Sequence, residues 1–259
     1  MQSIAYVKPF GGLGNQIKPL ISALWLTNKV FTTSKTYGII FKNEIPFRTT
    51  VTEDHRVFSD WRFELKDRDL IRADFGTVYL DCVGEDEQVR QLKSIDFEYY
   101  HIPRRLMEEV SSVFRSLEFT DVVNTRVSEL TKDWNNNVIA VHVRSWSDHP
   151  LRRRKLFDLD AFFKRIDRRR SSLKVFLATD SSPVLAAFQE RYGDRLLHNE
   201  LSKHSESHVA FNKSDEAIIR AFVDMICLSK AEILIGTYLS TFTECAWWFG
   251  ACRQHIEIV

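Results

Sequence analysis

Apolar and polar positions alternate along the chain in blocks whose periods switch between strand-like and helix-like. Ile4 to Val7 is a short apolar, partly β-branched run that Pro9 closes. The glycine-rich stretch GGLGNQ (11–16) follows, and then Ile17, Leu20, Ile21, Leu24 and Leu26 recur with helical spacing. Pro19 falls in the first turn of that helix, where a missing N–H costs least. Residues 36–42 and VYLDC (78–82) read as strands, and helical periodicity runs from Ile102 to Val127. After the turn signal NNN (135–137), VIAVHVR (138–144) is a buried-strand run that ends on a charge. FDLDAFFKRIDRRR predicts a helix, KVFLATD a strand, and SSPVLAAFQERY a helix with Ser or Asp caps. Residues 198–214 are polar and loop-like. DEAIIRAFVDMICLSKA then predicts a helix, EILIGTY a strand, STFTECAWWFG a helix and QHIEIV a last strand.

Strands that alternate with helices define an α/β protein with mainly parallel sheets covered on both faces. Two Rossmann-like halves fit this order better than one, with a first domain over 1–125 and a second over 126–259. No internal repeat or low-complexity tract interrupts them.

Composition narrows the picture only a little. Of 259 residues, 44% are hydrophobic and 27% charged, which suits a soluble chain able to bury a sizeable core. A net charge of +1 favours neither nucleic acid nor a membrane surface as partner. The basic runs LRRRK (151–155) and RRR (168–170) lack interleaved aromatics and read as solvated faces. Cys82, Cys227, Cys245 and Cys252 form no CxxC pair, so reduced thiols are expected rather than a zinc site. No apolar run reaches the ~18 residues of a membrane span. The expected setting is therefore the cytoplasm, unless the chain is a domain trimmed from a longer membrane-anchored protein.

Candidate chemistry sits at the carboxyl ends of the expected strands, where doubly wound sheets hold their ligands. Four polar clusters lie there. GGLGNQ offers glycine backbone for close approach and a helix start that favours anions, or simply a tight turn with Asn15 as cap. It is neither G-x-G-x-x-G nor a Walker loop, and the acid expected at the end of the second strand of a nicotinamide-binding unit is missing, which speaks against an oxidoreductase. HVRSW places His142 and Arg144 two residues apart at a strand exit. The Arg144 fork suits phosphate, or an ion pair with a nearby carboxylate. In ATDSS, Asp180 can accept from a nucleoside or cap the next helix. In GTYLSTFT, Ser240, Thr241 and Thr243 open the last helix with more hydroxyls than capping needs. The acidic pairs DRD (67–69), EDE (85–87) and DLD (158–160) follow no convincing buried strand, so no divalent metal is expected.

Taken in order, the four clusters resemble the fucosyltransferase superfamily that joins α1,2-, α1,6- and protein O-fucosyltransferases. GGLGNQ is similar to the N-terminal signature of the α1,2 and O-linked branches, and HVR (142–144) matches the H-x-R element. ATD (178–180) and the S-[ST]-F of Ser240, Thr241 and Phe242 match further downstream. The resemblance spans nearly the whole chain, although some two dozen residues carry it.

The resemblance implies a GT-B-like architecture, two Rossmann-like domains facing across a cleft. It also implies inverting, metal-independent transfer of a sugar from a nucleotide sugar, with GDP-fucose favoured, onto a glycan acceptor. By position, Arg144 would bind the β-phosphate, and Asn15 with the backbone of Gly12, Leu13 and Gly14 would approach the diphosphate and sugar. His142 and Asp180 would hold the nucleoside, and Ser240, Thr241 and Phe242 would line the phosphate pocket. Asp54, Asp148 and His149 are the candidate general bases. Ser145 stands where many relatives carry a second arginine. Together with a short chain in which no anchor or disulfide framework is visible, that departure leaves open a UDP-sugar such as UDP-xylose. The same features suit a microbial or viral enzyme of the cytosol, unless the chain is the trimmed catalytic domain of a Golgi-type enzyme. A non-catalytic nucleotide-sugar-binding module is the separate alternative.

Overall fold

A computed structural model of the chain describes residues 13–14, 17–18, 21, 47–48, 104–145, 150, 154, 157–199, 215–238 and 240–259. The expected strands at 4–7, 36–42 and 78–82 lie outside the described residues, as does most of the polar stretch after residue 199. The chain divides into two compact units, Met1–Phe119 and Thr120–Val259.

In the first unit, Leu13, Gly14, Ile17, Lys18 and Ile21 are helical, so helical structure reaches back into the glycine-rich stretch. Ile17, Lys18 and Ile21 are fully buried. A two-residue strand, β1 (Phe47–Arg48), pairs antiparallel with β2 (Glu118–Phe119), Phe47 opposite Phe119. Helix α1 (Arg104–Arg115) buries Val110, Val113 and Phe114.

The single helical stretch expected from Ile102 to Val127 is in fact broken. Helix α1 ends at Arg115, and the Ser116 and Leu117 amides turn back onto Ser112, Val113 and Phe114 carbonyls. Glu118 and Phe119 then spend their backbone groups on the β1 ladder. Thr120 is extended, and α2 (Asp121–Thr131) starts anew with an acid in its first turn. Apolar periodicity alone does not register a two-residue strand between two amphipathic helices.

The second unit is built on a five-stranded, all-parallel sheet of β3 (Val138–Val143), β4 (Lys174–Thr179), β5 (Leu196–His198), β6 (Ile233–Gly236) and β7 (His255–Ile258), in the order β5-β4-β3-β6-β7. Between them run α3 (Leu159–Asp167), α4 (Ser182–Tyr192), α5 (Asp215–Lys230) and α6 (Thr241–Phe249). This strand order is that of a Rossmann half. β5 is only three residues long and follows a 3-10 turn in which Gly193 takes a φ of 49°; no run of that length was legible as a strand.

Strand parity sorts the core. Ile139, Val141 and Val143 join Phe162, Ile166, Val175, Leu177, Val184, Phe188 and Tyr192 in one buried cluster, which seats α3 and α4. The alternate positions, Ala140, His142, Phe176 and Ala178, therefore point to the other face, where Trp134 packs on Phe176 with ring centroids 5.1 Å apart. All six residues of β3 are buried, as the central strand of a sheet covered on both faces requires. Side-chain caps open three of these helices. Asp158 Oδ1 accepts from the Ala161 amide at 3.1 Å, and Ser181 and Ser240 cap α4 and α6. Among the described residues Cys227, Cys245 and Cys252 are free thiols, and no helix is long and apolar enough to cross a membrane.

Candidate functional site

The strand order reverses direction at β3. The chain runs from β3 outward through β4 and β5, then returns to place β6 on the other side of β3. A crevice opens at such a switch point, outside the carboxyl ends of the two diverging strands. The residues that leave β3, β4 and β6 there are Arg144, Asp180 and Thr237.

Three hydroxyls tie these exits together. Thr237 Oγ1 donates to the His142 carbonyl at 3.0 Å and accepts from the Arg144 amide at 2.8 Å, which bridges β6 to β3. Thr179 Oγ1 donates to the Val143 carbonyl at 2.9 Å and receives the Ser181 amide at 3.3 Å, which closes the β4 side. Thr243 Oγ1 hydrogen-bonds His142 Nδ1 at 2.7 Å, while Ser240 Oγ lies 3.5 Å from the same nitrogen. The His142 ring also stacks on Phe242, centroids 4.8 Å apart at 29°.

His142 fits this position because its neighbours in the sheet are small. In register it faces Ala178 on β4 and Gly236 on β6. A Cβ on Gly236 would stand 2.0 Å from Thr243 Cγ2 and 2.8 Å from its Oγ1, so glycine is what lets α6 press Thr243 toward His142. Thr243 is fully buried and its hydroxyl is engaged, so it cannot swing aside cheaply. Gly236→Ala is therefore expected to lower stability by about 1–3 kcal/mol in chemical denaturation. An unchanged unfolding midpoint would contradict the tight strand-to-helix packing.

Electrostatics at the site follow from burial. Burial first, and the neighbouring Arg144 charge second, depress the His142 pKa to about 3, so the imidazole is neutral at any physiological pH. Arg144 pairs through Nη1 with Asp180 Oδ2. The Ser145 hydroxyl beside it is buried and has no hydrogen-bond partner among the described residues.

The structure thus brings His142, Arg144, Asp180, Ser240 and Phe242 together at one sheet edge, with Thr241 opening the helix over it. One alternative falls away. Asp180 is not the cap of α4, because Ser181 takes that position and accepts from the Val184 amide at 3.4 Å. Phe242 lies against the His142 ring. Leu13 and Gly14 are helical in the first unit, whereas Gly12, Asn15, Asp54, Asp148 and His149 lie outside the described residues. Thr237 escaped the sequence reading; a threonine directly after a buried strand that ends in glycine was the available signal. Among the described residues, no three His, Cys, Asp or Glu side chains gather as a metal-ligand set.

Fold and site together define a Rossmann-like half whose polar groups converge at the switch point of a parallel sheet. Solved structures place this architecture more closely. A crystal structure of NodZ α-1,6-fucosyltransferase soaked with GDP-fucose superposes with a TM-score of 0.56 and 17% identity, over 95% of this chain and 92% of that one. NodZ from Bradyrhizobium, in a separate crystal structure, gives a TM-score of 0.53 at 17% identity over the same shares of the two chains. POFUT1 in complex with GDP gives 0.52 at 10% identity, over 98% and 97% of the respective chains. The likeness establishes an α/β fold of the GT-B-like kind for this chain. No protein-family model and no curated protein sequence matches it.

Proposed function

We propose that the protein is a glycosyltransferase that moves a sugar, L-fucose from GDP-fucose in the favoured case, onto a glycan acceptor with inversion and without a metal. One observation carries the reading. Arg144, His142, Asp180 and the Ser240–Thr243 helix start, which resemble fucosyltransferase motifs in sequence, also converge at the ligand-binding edge of a fold shared with GDP-fucose-binding structures.

The chemistry is consistent with that assignment. Breaking a sugar–phosphate bond builds negative charge on the departing diphosphate and positive charge on the sugar. Fixed donors aimed at the diphosphate lower that barrier because they need no reorganisation as charge develops. Arg144 supplies a guanidinium fork at the β3 exit, and the start of α6 supplies backbone N–H groups and hydroxyls. Neutral His142 keeps a hydrogen-bonding ring rather than a cation, held in orientation by Thr243 and Phe242. In this scheme the second domain holds the nucleotide sugar. Asn15 and the Gly12–Gly14 backbone contribute from the first domain, and Asp54, Asp148 and His149 are the candidate bases.

A thermal-shift panel of GDP, UDP, ADP and their common sugars, each with and without EDTA, tests the proposal. A ligand present at about 100 times its Kd stabilises the fold by about 2.7 kcal/mol. The expected result is selective stabilisation by GDP and GDP-fucose that EDTA leaves unchanged. Selectivity for UDP would keep the mechanism and change the donor to a UDP-sugar. GDP binding without transfer or hydrolysis of any donor would leave a non-catalytic binding module, and no nucleotide effect at all would overturn the reading.

A further inference from the structure

Asp180 stands beside Arg144 for a reason the helix does not supply. Parallel register sets Val143 opposite Thr179, so Arg144 and Asp180 are the next residues in line at the exits of β3 and β4. Their backbones are already pinned. The Arg144 amide is held by Thr237, and Thr179 bonds both the Val143 carbonyl and the Ser181 amide. Ser181 caps α4, with extended backbone angles of −129° and 113°. The Asp180 carboxylate is therefore needed neither for the cap nor for the strand junction. Its contact with the Arg144 guanidinium is made by side chains alone, and it is 39% exposed at the exit of β4.

We propose that Asp180 is a positioning carboxylate that holds the Arg144 guanidinium at the β3 exit in the nucleotide-free site and yields it to an incoming diphosphate. The proposal rests on the reading that Arg144 binds the donor's diphosphate. An unpaired arginine on a long side chain samples many rotamers, whereas one held by a carboxylate is aimed along a single direction. The same negative charge opposes the arriving diphosphate, so the pair weakens ground-state affinity while keeping the fork in place. When the nucleotide leaves, Asp180 takes the guanidinium back, which favours release. This role differs from a nucleoside contact, because it acts on any ligand that carries a diphosphate, with or without a base.

Isothermal titration with inorganic pyrophosphate and with GDP separates the two roles. Asp180→Asn keeps the shape and removes the charge. It is expected to bind both ligands about tenfold more tightly than the native protein, the size of one screened like-charge repulsion at this range. Asp180→Glu retains a carboxylate and is expected to restore the native affinity for both. Thermal unfolding of each variant checks that the fold is intact, which the exposure of Asp180 favours. Weaker GDP binding with unchanged pyrophosphate binding would assign Asp180 to the nucleoside and overturn the proposal. Unchanged affinity for both ligands in Asp180→Asn overturns it as well. If the native protein binds GDP, and Arg144→Ala abolishes that binding, either result removes only the role of Asp180. If neither the native protein nor Asp180→Asn binds either ligand, the diphosphate reading of Arg144 falls too.

Discussion

On the proposed function, Arg144→Ala is expected to lower sugar transfer from the nucleotide-sugar donor by about 10³-fold while the protein stays folded. The loss in rate follows from the chemistry of the leaving group, whose developing charge the guanidinium would otherwise meet in place. The survival of the fold follows from the structure. What Arg144 contributes to the strand junction is its backbone amide, bonded to Thr237 Oγ1, and alanine keeps that amide. The side chain is partly exposed, and the Asp180 carboxylate it leaves behind can be hydrated. Arg144→Lys is expected to fall between alanine and the native enzyme, because it restores charge without the planar fork. Steady-state transfer assays paired with urea unfolding measure both halves. Turnover near the native rate in Arg144→Ala would sink the assignment. Lost turnover with lost cooperative unfolding would instead mean that Arg144 holds the fold, contrary to the contacts described.

How far this site could be foreseen depends on the range of each interaction. VIAVHV was legible as a buried central strand because a parallel sheet covered on both faces demands an unbroken apolar run. The helix starts near Asp158 and Ser181 were legible because start signals are settled within three residues, although which residue caps α4 was not. The His142–Thr243 bond was not, since its partners lie 101 positions apart and meet only because Gly236 lacks a Cβ. Whether Asp180 would cap a helix or face Arg144 was equally open in the sequence. The register of β3 and β4 and the cap already provided by Ser181 decide between them. Asp224 gave no signal at all. In the helical pattern it reads as one more polar position on α5, yet its Oδ1 is buried without a hydrogen-bond partner among the described residues.

Asp224 and His142 together lead to the second large effect, a pair of opposed pH dependences that nearly cancel in the native protein. The folded His142 has a pKa near 3, lowered by burial and then by Arg144, against about 6.5 for an unfolded histidine. Between those values the unfolded chain binds a proton that the folded one refuses. Stability from His142 is thus present above pH 6.5 and is lost as pH falls toward 3. Burial raises Asp224 to about 7, against the opposing Asn199 hydrogen bond and Arg220 charge, from 3.8 when unfolded. Here the folded state keeps the proton longer, so stability is present below 3.8 and is lost as pH rises through 7. Each slope is worth about 1.5 kcal/mol between pH 5 and 6.5, with opposite signs. Glu216, held down to about 2 by Arg126 and Arg220, stays ionised in both states over most of this range and adds little slope. The Cys227 thiol, pushed up by burial and by Asp224, stays neutral. Urea unfolding at pH 5 and 6.5 is therefore expected to give nearly equal free energies for the native protein. Asp224→Asn should gain about 1.5 kcal/mol over the same rise in pH, because the His142 slope then stands unopposed. His142→Asn, less stable throughout for its lost packing, should lose about as much over the same interval. A flat profile in Asp224→Asn would mean that the His142 ring is not held neutral, and with it would go the uncharged, Thr243-anchored imidazole at the β3 exit.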